Sequence, residues 1–321
     1  MIIVTGAAGF IGSVVVAALN KAGIKDVLTV DTLGKDTKFK NLRAKSYIDI
    51  VTPQELLDGL KSGAYKPGAI IHMGAITDTS ESDADLLLMQ NTKFTRKLAV
   101  YAMENDVRFI YASSASVYGD GEFGFDDGDD LTPKLLPMNP YAFSKWMFDT
   151  ESIDKGWTKR IAGLRFFNVF GPNEYHKARM ASVIWHSYNQ IKDTGKIKLF
   201  ESHREGIAHG GQRRDFVYVM DVVDVILWFL NNPQANGIYN LGTGKARSFN
   251  ELANAIFAAM GKAPEIEYIP TPENIRAAYQ YFTEAGLNKL RAAGCAKGFA
   301  PLEDTVRDYI TGYLMKSNPH A

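Results

Sequence analysis

Cysteine is almost missing from this chain: among 321 residues only Cys295 occurs. A lone thiol cannot close an intramolecular disulfide, and it excludes a cysteine-built metal cluster. Net charge is missing as well, because 36 lysines and arginines are balanced by 36 aspartates and glutamates. A neutral chain gives no bulk electrostatic reason to expect a nucleic-acid or membrane-surface partner. No apolar run approaches the length of a membrane span. The first residues pass straight into a strand pattern, which leaves no room for a signal peptide. A soluble, cytoplasmic protein is expected. The six histidines form no H-x-x-x-H pair and no cluster with carboxylates at ligand spacing, so no metal is expected. Repeats and low-complexity segments are lacking too. What remains is a chain long enough to bury a large core and to split into two lobes.

The stretch that organises the chain is its first dozen residues. Ile2-Ile3-Val4 reads as a buried strand that breaks into glycine at Gly6, and an apolar-periodic helix begins near Phe10-Ile11. Gly6, Gly9 and Gly12 are spaced G-x-x-G-x-x-G across this strand–turn–helix, a variant of the dinucleotide fingerprint. Gly6 would allow the tight turn, Gly9 the approach of backbone to a diphosphate, and Gly12 the packing of the helix on the sheet. A second strand, Val27 to Asp31, ends in an acid suited to a ribose hydroxyl.

Short apolar strands then alternate with helical stretches, with strands expected at 47–50, 69–73, 108–113 and 160–169. This predicts an α/β fold, a Rossmann-type doubly wound parallel sheet. After Gly171-Pro172 the alternation weakens. A helix near 178–192, a short strand at 196–200 and a glycine- and charge-rich loop at 202–213 follow. Residues 216–219, a helix at 221–231 and residues 237–241 are expected to return to the sheet domain. Ser248 to Glu251 is a capping-box pattern, and a strand at 266–269 and a helix at 302–315 finish the chain. The expected division is residues 1–172, with 214–245 returning, as nucleotide domain. Residues 173–213 and 246–321 form a smaller α/β substrate lobe.

Ligands of open sheets sit beyond the carboxyl ends of the strands, so the chemistry should lie there. Tyr141 and Lys145 are four residues apart and follow Pro140 into a helix, which puts phenol and ammonium on one face. A lysine so placed can stabilise phenolate and lower the tyrosine toward working pH. Upstream, Ser114 and Ser116 sit at the end of a strand, where a hydroxyl could bond a carbonyl or alcohol oxygen.

TGAAGFIG, YASSASVYG and YAFSK together resemble the extended branch of the short-chain dehydrogenase/reductase superfamily, over the full length. The resemblance implies Tyr141 and Lys145 as the catalytic pair, with Ser114 as the hydroxyl partner and Ser116 next to it. It implies a nicotinamide cofactor at Gly6, Gly9, Phe10, Ile11, Gly12, Asp31, Thr32, Lys38, Asp49, Ile50, Met73, Gly74, Ala75 and Asn91, with Tyr141 and Lys145. Arg214 falls where such enzymes hold a sugar-nucleotide diphosphate. Within the family, Asn168 to Lys177, Met180 to Val183, Thr37 to Leu42 and Tyr279 to Thr283 are similar to the enzymes that epimerise an ADP-linked heptose at C-6, for lipopolysaccharide inner-core synthesis. There a lysine at the Lys177 position is the second acid/base, across the substrate from the tyrosine. Asn168, His186, Phe200, Glu201, Arg214 and Tyr279 are implied as substrate-positioning groups. The implied cofactor is NADP, with NAD possible: Asp31 would repel a 2′-phosphate, while Lys35 and Lys38 could neutralise one. A homo-oligomer is also implied. Asp78 departs from the serine or threonine of better-known relatives. Two other readings stay open: a hexose 4-epimerase or 4,6-dehydratase, and a nucleotide-sensing protein without turnover. The dehydratase is disfavoured because Ala115-Ser116 stands where an Asp-Glu pair would, and the sensor because Tyr141 and Lys145 are both present.

Overall fold

Ile3 and Val4 point to opposite faces of one strand, and each is fully buried in a different apolar cluster. A strand covered on both faces must read as a continuous apolar run, which is why Ile2-Ile3-Val4 and Ala69-Ile70-Ile71 show no alternation. Each such side chain contributes about 1.5–3 kcal/mol of burial. The computed structural model of the chain describes residues 1–276 and 279–321. With strands numbered in chain order, β1 (Ile2–Thr5), β2 (Val27–Val30), β3 (Asp49–Val51), β4 (Ala69–His72), β5 (Arg108–Ser114), β6 (Ala162–Phe166) and β10 (Gly237–Leu241) form a seven-stranded sheet. Every pairing in it is parallel and the order is β10-β6-β5-β4-β1-β2-β3. The winding reverses between β1 and β4, and a crevice opens at that point.

Two small sheets stand apart. β7 (Asn168–Phe170), β9 (Arg213–Tyr218) and β11 (Ala246–Ser248) form one, and β8 (Ile197–Phe200) pairs with β12 (Ile266–Ile269) in the other. Helix Phe10–Lys21 packs on helix Val219–Asn231 against one face of the main sheet. Helix Pro140–Asp154 is tied to the same sheet through Asp149, whose carboxylate accepts from Tyr111 Oη (2.9 Å), Ser113 Oγ (2.8 Å) and Arg165 Nε (2.9 Å). No helix among the described residues is long and apolar enough to cross a membrane.

Several boundaries differ from the sequence pattern. The expected strand at 160–169 is broken at Phe167, and its halves enter different sheets, β6 and β7. Phe167 N–H bonds the Leu241 carbonyl at the end of β10, after which β7 turns away to pair with β9. For the same reason residues 214–218 do not rejoin the main sheet, whereas helix Val219–Asn231 packs on it and β10 pairs within it. The third strand begins at Asp49 rather than Tyr47, since it is an edge strand with one partner. The helix expected near 178–192 is a short turn at Tyr175–Met180 followed by helix Val183–Thr194, capped by Ser182. The Ser248 capping box is formed, Ser248 and Glu251 bonding each other's backbone N–H.

Candidate active site

Two cavities, about 510 and 340 Å³, lie end to end over the carboxyl edge of the main sheet. The first is walled by the turn after β1, by Asp31, Thr32 and Lys38, and by Met73, Gly74 and Ala75 after β4. The second is walled by Ser114, Tyr141, Lys145 and Asn168. Phe10, Ile11, Met73 and Lys177 line both, so Lys177 stands where they join.

The glycine turn is closed by sterics. Gly6 has φ +63°, and a Cβ there would lie 2.7 Å from Gly74 Cα, beyond what any side chain tolerates. A Cβ on Gly12 would lie 2.1 Å from the Gly6 carbonyl oxygen. Gly12 therefore lets the helix close on its own turn, rather than on the sheet as its spacing suggested. Helix Phe10–Lys21 opens at Gly9 without a side-chain cap, and its first residues line the cavity. Unpaired N–H groups at a helix start suit a diphosphate. Asp31 at the tip of β2 is already engaged: Oδ2 accepts from Ala8 N–H (2.8 Å), and Oδ1 from Thr32 N–H and Lys38 Nζ (2.8 Å each).

At the other end, Asn139 caps helix Pro140–Asp154 by accepting from Ala142 N–H, and the first turns deliver Tyr141 and Lys145. Burial pushes the Tyr141 phenol up, and the Ser114 hydroxyl beside it pulls it back. Ser114 Oγ lies 2.8 Å from Ser116 Oγ, and Ser116 itself does not line the cavity. The expected lowering of the phenol by Lys145 is not what the structure shows. A buried ammonium takes the nearest acceptor, and Lys145 Nζ donates to the Ala112 carbonyl (2.8 Å). Desolvation pulls Lys145 down to about 8, with Asp149 opposing.

Lys177 rides on the turn Tyr175–Met180 with its Nζ 5.9 Å from the centre of the Phe10 ring. Burial lowers its ammonium, and Glu174 opposes that. Asp78 faces this turn across the cleft mouth and pairs with Arg179 Nη2 at 2.5 Å, an exposed pair of small energetic weight.

Several expected residues lie elsewhere. Asp49 is exposed, bonds Ile50 N–H, and neither residue lines a cavity. Asn91 is buried behind the wall, bonding both backbone groups of Ile76 and the Ser144 hydroxyl; it shapes the cleft without entering it. Phe200, Arg214 and Tyr279 form a cluster of their own, with Phe200 and Tyr279 rings 6.1 Å apart and the Arg214 guanidinium 5.5 Å from the Tyr279 ring. Glu201 adjoins it, its carbonyl accepting from Thr271 Oγ1 (2.7 Å). Arg214 donates to the carbonyls of Arg213 and Gln280, and burial pulls it down to about 10. His186 lies on helix Val183–Thr194 beside the Arg179 carbonyl. Glu174, 1% exposed, stands inside the Asn168–Lys177 stretch but carries no implied role there; only its partners reveal one.

The pattern of the NAD dependent epimerase/dehydratase family matches residues 2–242. The chain belongs to that family. As a family member it takes a nicotinamide cofactor, and the glycine turn, the uncapped helix start and the acid after β2 fit one. An ADP-L-glycero-D-manno-heptose-6-epimerase of Nitratidesulfovibrio vulgaris is 48% identical over 322 residues, covering 100% of both chains. The crystal structure of the Helicobacter pylori ADP-L-glycero-D-manno-heptose-6-epimerase is similar with a TM-score of 0.83 and 27% identity, over 97% of this chain and 95% of that one. A Thermus thermophilus UDP-glucose 4-epimerase in complex with NAD, another sugar-nucleotide epimerase, is similar with a TM-score of 0.75 and 25% identity, over 97% and 99%. Among the described residues no group of three His, Cys, Asp or Glu side chains could hold a metal.

Proposed function

We infer that this protein interconverts ADP-D-glycero- and ADP-L-glycero-D-manno-heptose by epimerisation at C-6. The observation that carries the reading is Lys177, at the junction of the two cavities and in the same chamber as Tyr141. Inverting a secondary alcohol through a ketone exposes two faces of one carbon, and each face needs its own acid/base group.

A bound nicotinamide cofactor supplies the hydride acceptor and donor that turn the C-6 alcohol into a ketone and back. The chain's residues do the rest. Tyr141 Oη holds or takes the hydroxyl proton on one face, and Lys177 Nζ does so on the other. Ser114 bonds the oxygen at C-6 beside the phenol. Lys145 lies one helical turn below Tyr141 and supplies a positive field that favours phenolate once an anion is in place. The phenyl ring of Phe10 and the buried walls at Phe166 and Phe216 keep water from the ketone. Phe200, Arg214 and Tyr279 hold the ADP end, the guanidinium forking to the diphosphate.

The cofactor is NADP. Lys38 Nζ is at the Asp31 carboxylate, so the acid that would repel a 2′-phosphate is neutralised and a cation is at hand to bond one.

The test is to incubate the purified protein with ADP-D-glycero-D-manno-heptose, with and without added NADP, and resolve the C-6 epimers by chromatography. A mixture of epimers is expected. No conversion under either condition, with turnover of a UDP-hexose instead, would move the assignment to a 4-epimerase.

A further inference from the structure

Glu174 is a buried carboxylate that the chemistry above does not use. Its partners are all donors. Oε1 accepts from Tyr309 Oη (2.9 Å), Ser182 Oγ (2.7 Å) and the Gly171 N–H (3.4 Å), and Oε2 accepts from the Ser182 N–H (2.5 Å). No partner is a carbonyl that would require a carboxylic acid, so the pocket is built for the ionised form. Burial raises this carboxyl and the four donors oppose the rise.

An anion in such a place needs a cation, since an uncompensated buried charge is expensive. The turn carries two cations: Arg179 is exposed and paired with Asp78, and the buried one is Lys177. Of the other groups around Lys177, Asp31, Asp36 and Asp78 line the first cavity with it; Asp31 is paired with Lys38 and Asp78 with Arg179, and none of the three raises its ammonium. The Phe10 ring approaches from the glycine helix, and Lys145 and Tyr141 share the second cavity from helix Pro140–Asp154. His176, on the same turn, is kept neutral by burial. Glu174 is the group that opposes the desolvation of Lys177. Its bonds also fix the turn at both ends: to Gly171 before it, to the cap of helix Val183–Thr194 after it, and to Tyr309 from the far end of the chain.

We propose that Glu174 is a positioning residue for the reaction at C-6, holding Lys177 protonated through space and fixing the turn that carries it. The proposal rests on Lys177 being the second acid/base. In the direction that uses Lys177 as an acid, activity is lost as pH rises through the ammonium's pKa. Removing the Glu174 charge lowers that pKa, so the high-pH limb moves down.

The experiment is the pH profile of kcat for wild type, Glu174→Gln, Lys177→Met and the double variant, with epimers resolved by chromatography. Glu174→Gln is expected to shift the high-pH limb down by about one unit. It is also expected to lower kcat about tenfold with KM nearly unchanged, and to have no further effect in the Lys177→Met background. An unmoved limb, or an equal loss in both backgrounds, overturns the proposal. Should Glu174→Gln fail to fold, Glu174→Asp decides: the charge stays and the reach shortens, so kcat falls about tenfold with the limb in place, whereas wild-type kcat overturns it. An inactive wild type would count against the function itself; an active wild type with an unmoved limb counts against Glu174 alone.

Discussion

Single side chains decide what the cleft binds, and some are readable from the sequence. Tyr141, Lys145 and Ser114 stand in motifs and line one chamber: the first two because their spacing is about one helical turn, and Ser114 because it ends β5 beside them. Asp31 and Lys38 are separated by seven positions, and nothing in their spacing says that they bond; the loop between them does that. Glu174 is the opposite extreme, since two of its donors, Ser182 and Tyr309, lie 8 and 135 residues away. The proposed preference for NADP rests on Lys38. Lys38→Ala should weaken NADP at least tenfold, because a charge-assisted hydrogen bond contributes about 1.5–3 kcal/mol. NAD binding should change little. Titration of both cofactors by fluorescence checks this, and a wild type that binds NAD the more tightly would reverse the assignment.

At the level of elements, the glycine turn is where pattern and structure agree most closely. Gly6 and Gly12 are forced by backbone contacts, at Gly74 and at the Gly6 carbonyl, while Gly9 is crowded, a Cβ there standing 3.0 Å from the same carbonyl. Gly12→Ala should therefore be felt at once, as its Cβ would sit 2.1 Å from a backbone oxygen that cannot move without opening the turn. Overpacking of this kind costs about 1–3 kcal/mol, and the displaced turn should lose the cofactor as well. A thermal melt with and without NADP measures both: the expected variant melts lower and gains little from NADP. A variant stabilised by NADP as much as wild type would show that the turn tolerates the methyl. The break at Phe167 was not readable. Ten apolar-rich residues in a row look like one strand, and periodicity cannot mark where a chain changes sheet; the partner strands β10 and β9 settle that.

Across the whole molecule, the doubly wound sheet was readable because buried parallel strands announce themselves as apolar runs between helical periods. The placement of 214–218 was not, because Phe216-Val217-Tyr218 reads and is buried like a central strand yet pairs with β7 and β11. That small sheet matters. β7 leads into the Gly171–Lys177 segment, and β9 carries Arg214, so one sheet joins the turn bearing Lys177 to the residue proposed to hold the diphosphate. The buried pair of Arg165 and Asp149, both fully inaccessible, fixes the opposite wall with Tyr141. The fold thereby sets Tyr141 and Lys177, the two proposed acid/base groups, in one cleft. The most direct measurement is the rate of C-6 epimer interconversion by Tyr141→Phe and Lys177→Met, each confirmed as folded and cofactor-bound. Both rates should fall by about two to four orders of magnitude, the usual worth of general acid–base catalysis. A Lys177→Met variant that epimerises at the wild-type rate would contradict the two-sided mechanism.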